Sequence, residues 1–182
     1  MKKHGPWTIK STKKVYENPW VTVTEDQVIR PDGKKGLHAV VEISEGSHVL
    51  PIDENGFCHL TKEFHYAVGK YGIENASGGI NPGETALQAA KRELKEELGI
   101  TAKKWVSLGA IDPLTTIVKT RQYLFLAQAL SFGKAKPEGS ETISQVKMHL
   151  NKLVEKCLNG EITYAPTIAL AFRASEKLKN VF

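Results

Sequence analysis

Gly78 to Ile100 reads GGINPGETALQAAKRELKEELGI, a glycine-rich bend that runs straight into a helix-forming segment. Thr85 and Gln88 have the capping-box spacing, in which the hydroxyl satisfies one orphan backbone N–H and the Gln side chain reaches back to another, so a helix is predicted to start there. No Gly or Pro interrupts Thr85 to Leu98, and Gly99 stands where a left-handed cap ends many helices. At the helical period Leu87, Ala90, Leu94 and Leu98 form one apolar stripe, while Glu93, Glu96 and Glu97 project from an adjacent face. Three carboxylates that close repel unless a cation lies among them. Hard divalent ions take oxygen ligands, and Mg²⁺ accepts a few carboxylates, keeps several waters and binds substrate phosphates as well. Alone, the KRELKEE run would read as a solvated, salt-bridged helix face. The loop before it, Ser77 to Gly83, has glycines that let backbone approach a ligand, and the two together point to a metal site.

Outward from this segment, a chain of 182 residues is one domain's worth of sequence, with 41% hydrophobic and 25% charged residues, an ordinary globular composition. MKKHGPWTIK carries positive charge with no apolar run behind it, which argues against a signal peptide or a membrane anchor and favours a cytoplasmic protein. Cys58 and Cys157 form no redox or metal-ligand spacing and read as reduced. The formal net charge is +5, but the lysines are scattered without an aromatic-basic motif, so no nucleic acid is expected. An anionic small molecule would be drawn by the same field.

Alternation predicts a strand or arm over residues 7–16, then a hairpin from Val21–Ile29 and Leu37–Ile43 around Pro31-Asp32-Gly33. A second hairpin is expected from Ser47–Ile52 and Phe57–Glu63, with Asn55-Gly56 at its tip. Tyr71 to Ala76 should be a strand delivering the chain to the glycine loop. Further strands are expected over Lys104–Ile111, Gln122–Leu130 and Ile143–Met148. Asn151 is placed to cap a helix to Leu158, and a last helix is expected over Thr167–Lys179. Strands mixed with three helices indicate an α/β or α+β sandwich.

Gly78, five residues, Glu84, seven residues, then Arg92-Glu93-Leu94-Lys95-Glu96-Glu97-Leu98-Gly99-Ile100 fills every fixed position of a known pattern, and the chain resembles the Nudix box. The resemblance implies an α/β/α sandwich around a mixed sheet, preceded by an antiparallel β region. Residues 1–45 would be an N-terminal arm for dimerisation and substrate contact, and residues 46–182 the hydrolase domain. It also implies hydrolysis of a nucleoside diphosphate linked to another moiety, with Mg²⁺ or Mn²⁺. Glu93 and Glu97 would be the main metal ligands, helped by Glu96 and by the carbonyl of Ser77 or Gly78. Arg92 would hold Glu84 or Glu93 by an ion pair.

Val15-Tyr16-Glu17-Asn18-Pro19-Trp20, the PDG turn, Phe64-His65-Tyr66-Ala67-Val68-Gly69, Glu74 and Pro113 are similar to the ADP-ribose pyrophosphatase branch, whose members are usually homodimers. Glu63 and His65 depart from the Gln and Arg common there. The resemblance implies ADP-ribose as substrate, split to AMP and ribose 5-phosphate. GDP-mannose, NADH, FAD, a dinucleoside polyphosphate or a non-catalytic nucleotide-sensing role stay open. Trp20, His65, Glu74, Gly78 and Gly79 are the candidate substrate contacts. Glu141 is the candidate general base by resemblance, with Glu138 second, since a carboxylate on a loop can take the proton of the attacking water.

Overall fold

The computed structural model describes residues 1–136 and 142–179. In chain order these form β1 (Lys2–His4), β2 (Trp7–Glu17), β3 (Val21–Ile29), β4 (Lys35–Ile43), β5 (Gly46–Pro51), β6 (Phe57–His65), β7 (Lys70–Glu74), β8 (Ala76–Gly79), α1 (Ala86–Leu98), β9 (Ile100–Ile111), β10 (Val118–Lys119), β11 (Gln122–Phe132), β12 (Ser144–His149), α2 (Leu150–Leu158) and α3 (Ala165–Lys177). Two compact units divide the chain, Met1–Ser44 with Asp112–Arg121, and Glu45–Ile111 with Gln122–Phe182.

The first unit is one five-stranded sheet, ordered β1-β2-β3-β4-β10. Its first four strands pair antiparallel in succession, and β10 joins β4 in parallel. Gly33, with φ 81°, makes the turn between β3 and β4 that the PDG sequence predicts.

In the second unit the central sheet is mixed, ordered β8-β5-β11-β9, and a second sheet is ordered β12-β6-β7. Strand β5 is buried throughout, as expected of a strand covered on both faces. Pleating sends Val49, Phe125 and Ala127 toward Ala90, Leu94 and Leu98 of α1. Leu50, Leu124 and Leu126 point the other way, into a core with Leu153 of α2 and Leu170 of α3. This is the layered α/β/α arrangement, and burying a side chain such as Leu94 in it contributes roughly 1.5–3 kcal/mol.

Helix α1 begins and ends as its residues dictate. Thr85 and Gln88 complete a capping box, and Gly99 closes the helix in a left-handed conformation. Elsewhere the structure corrects the sequence reading. Strands β5 and β6 meet only in the bridge Ile52 to Cys58 and then part into different sheets, so the expected hairpin is a corner. Tyr71 to Ala76 is not one strand, because Asn75 separates β7 from β8 and the two pair with different neighbours. Ser77 to Gly79 are strand rather than loop, paired with β5. The cap of α2 is His149, whose side chain accepts from the Asn151 N–H.

Candidate active site

Strand β8 and the loop after it lie along α1, where Ser77 meets Glu97, Gly78 meets Glu93, and Gly79 and Glu84 meet Arg92. Ser77 N–H donates to Glu97 Oε1 at 3.3 Å. Glu97 is only 7% exposed, an uncommon position for a carboxylate. The Glu93 carboxylate lies in the space that a side chain at Gly78 would need.

Arg92 links the acidic groups. Its Nε donates to Glu84 Oε1 at 3.0 Å, its Nη1 to Glu93 Oε1 at 2.5 Å and Glu96 Oε2 at 3.2 Å, and its Nη2 to the Gly79 carbonyl at 2.9 Å. Glu84 also accepts the Asn81 N–H at 3.0 Å, which closes the loop onto the helix. The Arg92 bond, with the Asn81 amide second, holds the Glu84 carboxyl below its ordinary range. Glu84, foremost, raises the Arg92 guanidinium further.

One guanidinium offsets one of the four formal charges on Glu84, Glu93, Glu96 and Glu97. The remainder, with the carbonyl oxygens of β8, is a hard-oxygen donor set suited to a divalent cation. Among the described residues no three acidic, His or Cys side chains are already drawn together as ligands, since Arg92 stands among Glu84, Glu93 and Glu96. The donors fit such an ion by chemistry, and Glu93 and Glu96 share their present partner.

His65 Nε2 lies 2.8 Å from Glu74 Oε1 across β6 and β7. Burial raises the Glu74 carboxyl, with His65 opposing and Glu63 adding to the rise. Sequence reading missed Tyr164, the N-cap residue of α3. Its hydroxyl is pushed up to about 12, first by burial and then by Glu74, with Glu97 also contributing, so it lies among the groups that flank β8. No local motif marks it, since only the return of α3 brings position 164 to position 77. Trp20 belongs to the first unit, 74% exposed after the turn where Asn18 Oδ1 accepts its N–H. Glu141 and Glu138 lie outside the described residues.

The NUDIX domain pattern matches residues 45–170, more than half of the chain, and the protein belongs to the Nudix family. Residues 7–41 match the nucleoside diphosphate sugar hydrolase N-terminal domain. The chain is a Nudix pyrophosphohydrolase, a class that generally uses divalent metal ions. It is 28% identical over 138 residues to the ADP compounds hydrolase NudE of Escherichia coli, covering 75% of this chain and 73% of that one. It is 26% identical over 129 residues to an ADP-ribose pyrophosphatase of Bacillus subtilis (71% and 70% of the two chains). An ADP-ribose pyrophosphatase of Mycobacterium tuberculosis is 26% identical over 173 residues, 93% of this chain and 83% of the relative. A crystal structure of an ADP compounds hydrolase superposes with a TM-score of 0.84 over 98% of this chain and 97% of the other, at 22% identity, a likeness of fold.

Proposed function

We propose that the chain cleaves the diphosphate of ADP-ribose with water, giving AMP and ribose 5-phosphate, with Mg²⁺ or Mn²⁺ held by Glu93, Glu96, Glu97 and the Ser77 carbonyl. The observation that carries this reading is the packing of β8 on α1, with Ser77 N–H on Glu97 and the Glu93 carboxylate against Gly78. A bound divalent cation supplies charge neutralisation on the phosphates and a more acidic water. The chain's part is to keep Glu93 and Glu97 placed on one side of β8, through Gly78, Ser77 and Arg92. Glu141 is assigned the proton of the attacking water by resemblance. Gly78 and Gly79 are assigned to the diphosphate, and Trp20, His65 and Glu74 to the remainder of the substrate. The names of the relatives support an ADP-linked substrate, while Glu63 and His65 are the positions at which this chain departs from that branch.

Residues 1–45 are assigned to dimerisation and substrate contact and residues 46–182 to catalysis, in a cytoplasmic homodimer. Both cysteines are free thiols, in keeping with a reducing compartment.

The test is a panel of ADP-ribose, GDP-mannose, NADH, FAD and a dinucleoside polyphosphate with Mg²⁺, read by chromatography of the released nucleotide. ADP-ribose should turn over fastest, and Glu97→Gln should lower that rate by about 10²-fold or more without loss of fold. Tight binding with no product from any compound would replace the enzyme reading with a nucleotide-sensing one. Sedimentation at the mass of a single chain would overturn the dimer.

A further inference from the structure

A buried polar row lies in the second unit beside the core of Leu50 and Leu170, on the face of β5 that α3 covers. Asn75, the one residue between β7 and β8, is 1% exposed, Thr167 0% and His48 3%. The Asn75 N–H donates to Thr167 Oγ1 at 3.1 Å, and the Thr167 hydroxyl donates to Asn75 Oδ1 at 2.8 Å. Asn75 Nδ2 donates to the Ala76 carbonyl at 2.8 Å and lies 3.3 Å from His48 Nδ1, and His48 Nε2 lies 2.7 Å from Gln122 Oε1. An amide nitrogen only donates and an amide oxygen only accepts, so the tautomer that completes the row is neutral with its proton on Nε2. Removing one member leaves a buried partner unpaired, which is the expensive way to lose a hydrogen bond. The row therefore holds as a unit.

What it holds is the start of β8. Asn75 precedes Ser77 by two residues, and Ser77 N–H is the donor to Glu97. Tyr164, beside Thr167 in the first turn of α3, lies edge-on to His48 at 5.9 Å, with its hydroxyl toward the Ser77 side chain. On the other side Ser47, which pairs with Gly78 in the β5–β8 register, donates its hydroxyl to the Ala86 carbonyl at 2.7 Å, in the first turn of α1.

We infer that Thr167 and Tyr164 at the start of α3 are positioning residues for the carboxylate site, acting through Asn75 and Ser77 to set β8 at its distance from Glu97. The inference rests on the reading of Glu93, Glu96 and Glu97 as cation ligands. Thr167 itself touches neither cation nor substrate.

Thr167→Val keeps the shape and removes both bonds to Asn75, whereas Thr167→Ser restores the hydroxyl. Mn²⁺ binding to the full chain is measured by titration calorimetry, and hydrogen exchange is followed at the Ser77 amide and, for comparison, at Leu124 and Leu126 in β11. The Val variant should bind Mn²⁺ about tenfold more weakly and exchange the Ser77 amide faster than the β11 amides, and the Ser variant should return both to within about twofold of the parent. Tyr164→Phe removes a single hydroxyl and should weaken Mn²⁺ binding in the same direction, which keeps the inference testable if Thr167→Val does not fold. Lower thermal stability with parental Mn²⁺ affinity and parental Ser77 exchange would overturn it, leaving Thr167 a packing residue. A parent that binds no Mn²⁺ would remove the underlying cation-site reading as well, and the parental titration tells the two failures apart.

Discussion

A Cβ at position 78 would lie 1.9 Å from Glu93 Oε1 and 2.3 Å from its Cδ. Gly78 is not among the residues with positive φ, so glycine serves there to make room and not to allow an unusual backbone. From the sequence, Gly78 reads as a place where backbone nears a ligand; what it nears is the side chain of Glu93 on α1, fifteen positions further along the chain. The obstacle to a methyl group is the end of a flexible side chain, so the core and the β5–β8 pairing need not move. Gly78→Ala should therefore unfold within about 1 kcal/mol of the parent in a urea titration. Its kcat/KM on ADP-ribose should fall about 10²-fold, the usual consequence of misplacing a group by an ångström near the chemistry. Parental kcat/KM in this variant would mean that Glu93 has no need of its present position.

Helix α1 was legible in full, because its cap, stripe and stop are local and are written in residues a few positions apart. The corner between β5 and β6 was not, because Asn55-Gly56 specifies a tight turn and is silent on whether the strands beyond it stay paired. The position of Tyr164 was not legible either, since tertiary packing alone brings α3 to β8. Gly99 shows both kinds of information at one residue. Its φ of 66° accounts for glycine as a helix stop, which sequence predicts. A Cβ there would also meet Ala135 N and Gly133 O, both at 2.6 Å, and both are backbone atoms. Gly133 N–H donates to the Gly99 carbonyl and Lys136 N–H to the Glu96 carbonyl, so the segment after β11 wraps the end of α1. The left-handed conformation alone costs a non-glycine residue about 1–2 kcal/mol, and Asn tolerates it best. With a backbone clash added, Gly99→Ala should lower stability by about 3 kcal/mol, and Gly99→Asn should recover little of it. Thermal melts of the two variants check this, and a near-parental Asn variant would show that conformation alone sets the requirement.

At the scale of the second unit, several buried groups respond to acid with effects that differ in sign. Burial, opposed by the bond to Gln122, holds His48 at about 4 against an ordinary 6.5. Between those values the unfolded chain takes up a proton that the folded chain refuses, so stability falls as the pH drops from 6.5 to 4 and is independent of this ring above 6.5. The loss amounts to roughly 3 kcal/mol. His59, lowered chiefly by burial, adds a loss of the same sign. Glu74, raised chiefly by burial, works the other way, because the folded chain binds its proton first. Burial would also raise Asp53, but Lys147 at 2.8 Å, the Phe57 and Asn55 amides and His59 outweigh it and hold the carboxyl at about 2. Its contribution is present in full above 3.8 and is lost as the pH falls toward 2, so it does not overlap the His48 window. Replacing the ring by an uncharged amide in His48→Gln removes this titrating group and leaves His59, Glu74 and Asp53 in place. Urea unfolding from neutral pH down to about 4 should then give a variant curve flatter than the parent's, with the gap between them changing by roughly 3 kcal/mol. Parallel curves over that interval would mean that the His48 ring already accepts its proton in the folded chain, which the donors and acceptors around it do not accommodate.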